Sequence, residues 1–423
     1  NLQQFITKNL EGREREISPI LTRIGHIEAR GNSYYTKNET KADLEIRTTP
    51  GTLNLKAILR ESNDIEGEIT TNNFQIHNLL KTNKKQNLEK LSLLANIKGK
   101  IKGKDNRPEW SVTGKIPEII FKNYLYRGID FNASNKGDNY NAQIAIADAN
   151  GTINADIDAL LQNNNKTAKG NIEVVNLNPH QLNLTSKYPG ETFSTKLTYD
   201  LTGYNLDNLK GMIEIEDLGV QSETKGNITT GPIRLYSHPE ANEKDFNIES
   251  EFLKLQVEGE FQWKNLPRTF NQIAHQYLPS IFTKQPYETY HSDDITFTAQ
   301  IKDTTLIERL AGIPLNIPQT ANFDGRLDGS LGIITLNAQV PVLNYGNEKL
   351  QHIDIHMQST AEDIRANVVM ERLIKGTPIE MGLDARTKED LLHLLLHWNN
   401  KKDSRAQVGE VDITSRFFKD LAG

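Results

Sequence analysis

Histidine and aspartate residues near the C-terminal end have the side chains of a metal site. His352, Asp354 and His356 alternate along one predicted strand. On a strand the two histidines are about 13 Å apart, at about 3.3 Å per residue, which is too far to share one ion. His393 and His397 have the same spacing. We therefore interpret these side chains as solvent-facing and predict no metal site.

Two pairs of carboxylates have the residue type of general acid–base catalysis. Asp293 and Asp294 are adjacent, and Asp156 and Asp158 alternate on a strand. No partner base, nucleophile motif, P-loop or dinucleotide fingerprint accompanies them. The absence of cysteine excludes thiol catalysis, cysteinyl metal sites and disulfides. We expect neither enzymatic activity nor a cofactor.

Composition narrows the class of protein. The 423 residues could form two or three domains, but 36% hydrophobic content and a mean hydropathy of −0.57 are low for large closed cores. The net charge is −6, with no basic stripe for nucleic acid. No apolar run approaches the roughly 20 residues that span a bilayer, and the first residues lack the apolar centre of a signal peptide.

Period-two alternation dominates the chain and indicates antiparallel strands with one apolar face. Residues 126–160 are the clearest example, with three strand patterns and two turns. Asn150-Gly151 predicts a type I′ hairpin turn, and Asn135–Asp138 the other turn. The same alternation recurs in other segments. These are 53–59, 91–101, 193–201, 257–263, 295–301 and 379–385.

Helical spacing is rare. Apolar residues recur at helical intervals over 266–282, with Pro267 in the first turn. A second short helix is predicted over 304–311, and 390–398 is interpreted as a strand. The first helix has two interpretations: a cap over a sheet edge or groove end, or a gate or membrane-surface contact.

Weak internal similarity suggests a repeated architecture. Residues 119–134 resemble 342–359, with Ile129 aligned to Ile353, and residues 67–80 resemble 170–184. Irregular spacing argues against propeller blades. The pattern predicts an all-β fold: an elongated antiparallel β-solenoid or β-taco groove with an apolar interior and one or two short amphipathic helices.

Four phrases together resemble TamB-like proteins of the AsmA superfamily, most closely those of Bacteroidota-type bacteria. They are ISPILTRIGHIEARGNSYY (17–35), GEITTNNFQIHNLLKTN (67–83), residues 123–160 and FSTKLTYDLTGYNLDNLKGMIEIED (193–217). The resemblance implies a periplasmic bridge with an inner-membrane anchor, a long apolar β-groove and a C-terminal domain near an outer-membrane barrel of the TamA or BamA kind. It also implies roles in phospholipid transport and outer-membrane protein assembly.

The chain lacks a recognisable anchor helix and barrel-engaging domain, so we interpret it as an inner fragment. Membrane anchoring and partner contacts are then expected from segments outside it. We predict a β-groove segment over 1–286 and its continuation over 287–423, or one continuous domain over 1–423.

Acyl chains need a continuous apolar floor with little hydrogen bonding. Burial of one methylene contributes about 0.8 kcal/mol, so a dozen contribute roughly ten before ordering costs. The alternative is an ordinary β-sandwich core, which produces the same alternation. The predicted groove lining is Leu93, Ala95, Ile97, Ile129, Phe131, Ile144, Ile146, Ile153, Ile157, Phe193, Leu197, Tyr199, Val257, Phe261, Trp263, Ile295, Phe297, Ile301, Ile353, Ile355, Ile379, Met381 and Leu383.

Two functions therefore remain open at the level of sequence. The first is a periplasmic segment that conducts phospholipid between the inner and outer membranes. The second is a structural or chaperone-like β-scaffold that offers strand edges to outer-membrane proteins or to a partner complex.

Overall fold

The computed structural model describes residues 23–78, 88–101, 103, 107–162, 165–203, 205–239, 243–282, 293–374, 377–400 and 408–418. The chain forms two compact units. Unit 1 comprises Asn1–Asp200 and Glu216–Thr229, and unit 2 comprises Leu201–Ile215 and Thr230–Gly423.

Unit 1 is built around an antiparallel ladder in which each strand from β1 to β10 pairs with the next. Side-chain hydrogen bonds join β11 to β10, including Thr198 to Asn171. A 3-10 turn, Ile76–Asn78, follows β4. The strands are β1 (Ile27–Tyr35), β2 (Glu39–Thr48), β3 (Gly51–Arg60), β4 (Asp64–Phe74), β5 (Leu88–Lys100), β6 (Glu109–Phe121), β7 (Tyr124–Lys136), β8 (Asn139–Asp148), β9 (Gly151–Gln162), β10 (Asn165–Leu177), β11 (Glu191–Thr202), β12 (Lys210–Ser222) and β13 (Ile228–Thr229).

Unit 2 contains a second antiparallel ladder, in the order β14-β15-β16-β17-β19-β20-β21-β22-β23-β24-β25. Residues 211–215 of β12 pair with β14, and β18 pairs with β20. The helices are α1 (Leu266–Tyr277) and α2 (Thr305–Ala311). The strands are β14 (Ile233–Ser237), β15 (Glu243–Glu249), β16 (Leu253–Glu260), β17 (Asp294–Ile301), β18 (Leu315–Asn316), β19 (Ala321–Asp328), β20 (Ile333–Tyr345), β21 (Glu348–Ser359), β22 (Ile364–Ile374), β23 (Thr377–Lys388), β24 (Leu391–Asn399) and β25 (Val408–Arg416).

The predicted all-β class, with antiparallel sheet and short helices, is confirmed. The strand interpretation of 390–398 is also correct for all but its first residue, since β24 begins at Leu391. Helix α2 ends at Gly312, whose φ of 71° is the left-handed conformation typical of a helix C-terminus. Within the described part of the chain, neither helix has the length and apolar character needed to cross a bilayer.

Three predicted boundaries were wrong. Helix α1 ends at Tyr277 rather than at residue 282, because Pro279 disfavours helical dihedrals in the residue before it. Strand β16 ends at Glu260, so the last residues of the predicted strand 257–263 lie in a turn. The hairpin between β8 and β9 turns at Ala149-Asn150. Asn150 is outside the left-handed region, and its N–H donates to the Asp148 carboxylate at 2.9 Å, an Asx turn.

The backbone supports both internal repeats. In the first, β6–β7 and β20–β21 each turn through two residues, and the aligned residues Gly128 and His352 both have positive φ, 65° and 48°. The bulge at His352 interrupts the β21–β22 register. This extra residue lets Leu350 and Ile353, three positions apart, join the same apolar cluster.

The second repeat shares its hydrogen bonds as well as its dihedral angles. Asn73 and Asn176 have φ of 53° and 50°, and each donates its N–H to a serine of the following strand, at 3.1 and 2.9 Å. Two residues later, Gln75 donates to the carbonyl of Pro50 and Asn178 to that of Asn150, both at 2.8 Å. The weak sequence similarity therefore corresponds to the same backbone path.

Candidate functional site

Two rows of apolar residues cross nine strands of unit 1, β2 to β10, on one face of the ladder. Cross-strand partners lie on the same face of a sheet, so the register fixes both rows. We call this surface the open apolar face. The first row is Leu44, Leu55, Ile69, Ala95, Gly114, Phe131, Ile144, Ala155 and Ile172; the second is Ala42, Ala57, Gly67, Ile97, Val112, Ala133, Ala142, Ile157 and Gly170.

The open apolar face is only partly covered. Ala95 is buried, Ile144 is 36% exposed, and the other residues of both rows are half-buried. In the described residues, four hydrophobic side chains of unit 1 are buried, compared with fourteen in unit 2. A sheet packed against a second sheet buries its inner face as a shared core. Half-burial over nine strands is typical of a face without that cover.

Aromatic side chains on this face lie against glycines of the adjacent strand. A Cβ atom at Gly114 would be 2.6 Å from the Phe131 ring, and one at Gly170 would be 2.9 Å from the Tyr199 hydroxyl. The rings therefore lie low over the neighbouring backbone. Burial raises the pKa of Tyr199, and the charges of Asp158 and Asp156 raise it further, so its phenol stays neutral.

Most of the other predicted lining residues of unit 1 flank the two rows. Ile129, Ile146 and Ile153 form a third line of cross-strand partners. Leu93 pairs with Thr71 of β4, and Thr71 pairs in turn with Leu53 of β3. Phe193 and Leu197 on β11 are half-buried, and Phe193 packs edge to face against Tyr188 at 5.2 Å.

The opposite face of unit 1 carries charged and amide side chains. Lys115 pairs with Asp130 at 3.2 Å, and Arg60 with Glu66 at 3.1 Å. These pairs are exposed, so each contributes at most about 1 kcal/mol to stability. The two faces differ sharply in polarity, because the strand period places alternate residues on opposite sides.

The predicted lining of unit 2 has a different environment. Val257, Phe261 and Ile295 form a buried cluster, with Trp263 and Phe297 packed against it. Ile353 belongs to a second buried cluster, with Ile301 and Ile355 at its margin. These residues stabilise closed cores. Ile379, Met381 and Leu383 on β23 are half-buried.

Helix α1 covers part of the apolar side of unit 2. Ile273 and Tyr277 are 0% and 2% exposed and form a cluster with Ile334 of β20. Beyond the helix, Ser280 donates its N–H and its hydroxyl to Asp390, both at 2.8 Å. These contacts agree with the interpretation of the helix as a cap.

The histidines considered for metal binding have individual partners. Nδ1 of His352 lies 3.0 Å from Glu371, and Nδ1 of His356 lies 3.0 Å from Asn337. Nε2 of His393 lies 2.8 Å from Asp412, and the ring of His397 lies against Gly382. Within the described residues no group of three or more His, Asp or Glu side chains could hold a metal ion.

The paired carboxylates support the fold. Buried Asp293 accepts hydrogen bonds from the Gln262 N–H at 2.9 Å and the Thr269 hydroxyl at 2.5 Å. Asp294 accepts two hydrogen bonds from the Arg326 guanidinium, at 2.9 and 2.8 Å.

A third carboxylate, which the sequence did not single out, organises a charged cluster in unit 2. Asp363 is 0% exposed and accepts hydrogen bonds from the Thr360 hydroxyl and from Nε of Arg365 and Arg386. Burial alone would raise the pKa of Asp363, but these hydrogen bonds outweigh it and lower the pKa. Arg365 and Arg386 are 21 residues apart and meet only through the β22–β23 register, which explains why the sequence gave no signal.

Comparisons of the chain with protein-family models, with curated proteins and with solved structures find no match.

Proposed function

We propose that unit 1 binds the acyl chains of phospholipids along its open apolar face, as a segment of a bridge that conducts lipid between the inner and outer membranes of a Gram-negative bacterium. The observation that carries this proposal is the pair of uninterrupted apolar rows across nine strands, in which every residue except buried Ala95 and the more exposed Ile144 is half-buried. The resemblance of four sequence phrases to TamB-like proteins supports the same assignment.

The dimensions suit an acyl chain. Neighbouring strands are about 4.8 Å apart, so eight intervals span about 38 Å. The rows contain glycine, alanine, valine, leucine, isoleucine and phenylalanine, and none of these side chains donates a hydrogen bond. A surface of this kind shelters methylenes at about 0.8 kcal/mol each.

An acyl chain can slide along such a surface if the surface has few deep pockets that would hold the chain in one place. Phe131, the largest side chain of the two rows, lies low over Gly114, which lowers the highest point of the floor. A nearly uniform apolar floor gives neighbouring positions similar affinity for a methylene chain. Transfer along the face then needs no specific binding residue.

In this proposal the protein works in the periplasm, anchored to the inner membrane by a segment outside this chain. Its partner at the outer membrane is a barrel protein of the TamA or BamA kind, engaged through parts that lie outside the chain. Unit 2 supplies closed cores around Val257 and Ile353 and holds helix α1 as a cap.

Site-specific photocrosslinking tests the proposal. A photoreactive residue at Phe131 on the open apolar face is expected to label phospholipid in vesicles or copurified lipid, whereas the same residue at adjacent Asn132 is not. Asn132 lies on the opposite face of β7 and is the matched control. Mass spectrometry of the purified protein should also detect bound phospholipid.

Equal lipid labelling at both positions, or none at either position, would contradict the proposal. A photoreactive residue at Val257, which is 6% exposed within a buried cluster, should give mainly adducts within the protein. Lipid adducts at Val257 as abundant as those at Phe131 would contradict the distinction between an open face in unit 1 and closed cores in unit 2.

The second candidate function is a β-scaffold, and one observation favours it. In the described residues β25 pairs with β24 on one side only, and its Val411 and Ile413 are 40% and 47% exposed. An edge strand of this kind can accept a further strand. Crosslinks from Phe131 to protein, without lipid adducts, would support this function over lipid conduction.

A further inference from the structure

We propose that unit 2 carries a binding site for the phosphate group of a small, hydroxyl-bearing molecule, formed by Arg365 and Arg386. The site lies in a cleft of about 520 Å³. Besides the two arginines, its lining combines polar and apolar residues, which are Asn337, His356, Met357, Gln358, Ala366, Asn367, Asp384, Ala385 and His393. This volume is within the usual range for small-molecule sites.

The carboxylate of Asp363 holds the two arginines in position. They are direct cross-strand partners on β22 and β23, and both donate Nε–H to Asp363, at 3.1 and 2.5 Å. Like charges directly opposite each other on neighbouring strands are destabilising. The buried carboxylate between them offsets this repulsion and holds both guanidinium groups in place.

The terminal nitrogens of both guanidinium groups remain available to a ligand. In the described residues, the side-chain hydrogen bonds of Arg365 and Arg386 all go from Nε to Asp363. Their side chains are 64% and 52% exposed and border the cleft. One arginine would suffice to pair with Asp363, so the second adds a donor pair that the fold itself does not use.

Phosphate matches this donor set. A guanidinium offers parallel N–H groups that bind two phosphate oxygens at once. Two such groups on adjacent strands can engage different oxygens of one tetrahedral anion.

The remainder of the cleft fits a polar, hydroxyl-bearing group. Asp384 accepts a hydrogen bond from the Asn367 amide at 2.7 Å, and His356 is bonded to Asn337. Their spare acceptors and donors face the same space. His393 also lines the cleft, and its Nε2 lies 2.8 Å from Asp412. These polar side chains can pair with the hydroxyl groups of a phosphorylated polyol.

Calorimetric titration of the full chain with inorganic phosphate and with glycerol 3-phosphate tests the site, at constant ionic strength. We expect saturable binding of both anions, tighter for the ester, and about tenfold weaker binding in Arg365→Gln and Arg386→Gln because each loses a charge-assisted pair of hydrogen bonds. The matched control is Arg372→Gln. Arg372 also lies on β22, and its ion pair with Glu348 is outside the cleft.

Arg386→Lys is a further variant that controls for misfolding of the glutamine variants. Lysine retains a positive charge beside Asp363 but loses the planar fork, so this variant should fold and still bind phosphate more weakly. Equal affinity in all variants would indicate an adventitious ion only and would overturn the proposal, as would the absence of saturable binding. Lipid labelling at Phe131 should be unchanged in every variant, which separates this result from the test of the lipid proposal.

Discussion

At the scale of single residues, exposure distinguishes side chains that the sequence pattern treats alike. Ile144 and Ile353 are both isoleucines at the apolar phase of a strand, but they are 36% and 6% exposed. Asp363 and Asp384 each precede an arginine by two positions in the sequence, but only Asp363 is buried. The role of a residue therefore depends on the number of layers that cover it.

Asp363→Asn is expected to destabilise unit 2 by about 1–3 kcal/mol at pH 7, because it weakens the hydrogen bonds of a buried carboxylate. Since the pKa of Asp363 is lowered in the folded protein, its stabilisation is present above the unfolded pKa and is lost as the pH falls through the lower folded pKa. Urea unfolding of wild type and variant, measured from pH 7 down to pH 3, should show a difference that shrinks with acid.

Asp384→Asn is the control for this prediction. Asp384 is exposed on β23, so its replacement should change the free energy of unfolding by less than about 0.5 kcal/mol. A pH-independent difference for Asp363→Asn would contradict the assigned ion pairs.

At the scale of elements, helix α1 shows how one amphipathic segment closes part of a sheet. Its inward residues Ile273 and Tyr277 pack on β20, while Phe270 is 47% exposed. The hydrogen bonds between Ser280 and Asp390 fix the segment that follows the helix. A helix that acts as a gate would have to break these contacts when it opens, whereas a helix that acts as a cap keeps them.

Ile273→Ala should lower the free energy of unfolding by about 2–5 kcal/mol, because it leaves a cavity beneath the helix. Phe270→Ala on the same helix should cost less than about 1.5 kcal/mol, since half of that ring already contacts water. Chemical denaturation of both variants provides the measurement. Similar small losses for both would favour a loosely held, gate-like helix.

At the scale of the whole molecule, the same alternating sequence pattern leads to different burial of apolar side chains in the two units. Unit 1 repeats a strand path twice, at Asn73 and Asn176, and leaves a half-buried apolar face. Unit 2 buries its apolar residues in three clusters. We therefore place the proposed lipid surface in unit 1 and the proposed phosphate site in unit 2.

Ile144→Asn and Ile353→Asn compare the two units directly. The first should cost less than about 1 kcal/mol and reduce lipid labelling at Phe131, because Ile144 already contacts solvent on the open apolar face. The second should cost about 3 kcal/mol or more, because it buries an amide in an apolar cluster. Unfolding midpoints and crosslinking yields measure the two effects. A large loss of stability in Ile144→Asn would identify the unit 1 face as a closed core.

Local sequence was sufficient to predict most of the secondary structure. Alternation predicted the strands around Ile129 and Ile157, because side chains of a strand point to opposite faces in turn. Gly312 and Pro279 show how local chemistry ends helices, although the effect of Pro279 on α1 was not anticipated. The repeats were also detectable, because left-handed backbone positions favour residues such as Asn73 and Gly128.

Tertiary structure alone decided which apolar faces were covered and which distant charges met. Periodicity is the same for a strand in an open face and one in a closed core, so it could not separate half-buried Phe131 from buried Ile295. The register between β22 and β23 brought Arg365 beside Arg386 over Asp363. That register continues without a shift to the pair of Ile374 and Thr377, nine residues from Arg365. Alternation is a local property of one strand, whereas burial and charge pairing depend on its neighbours.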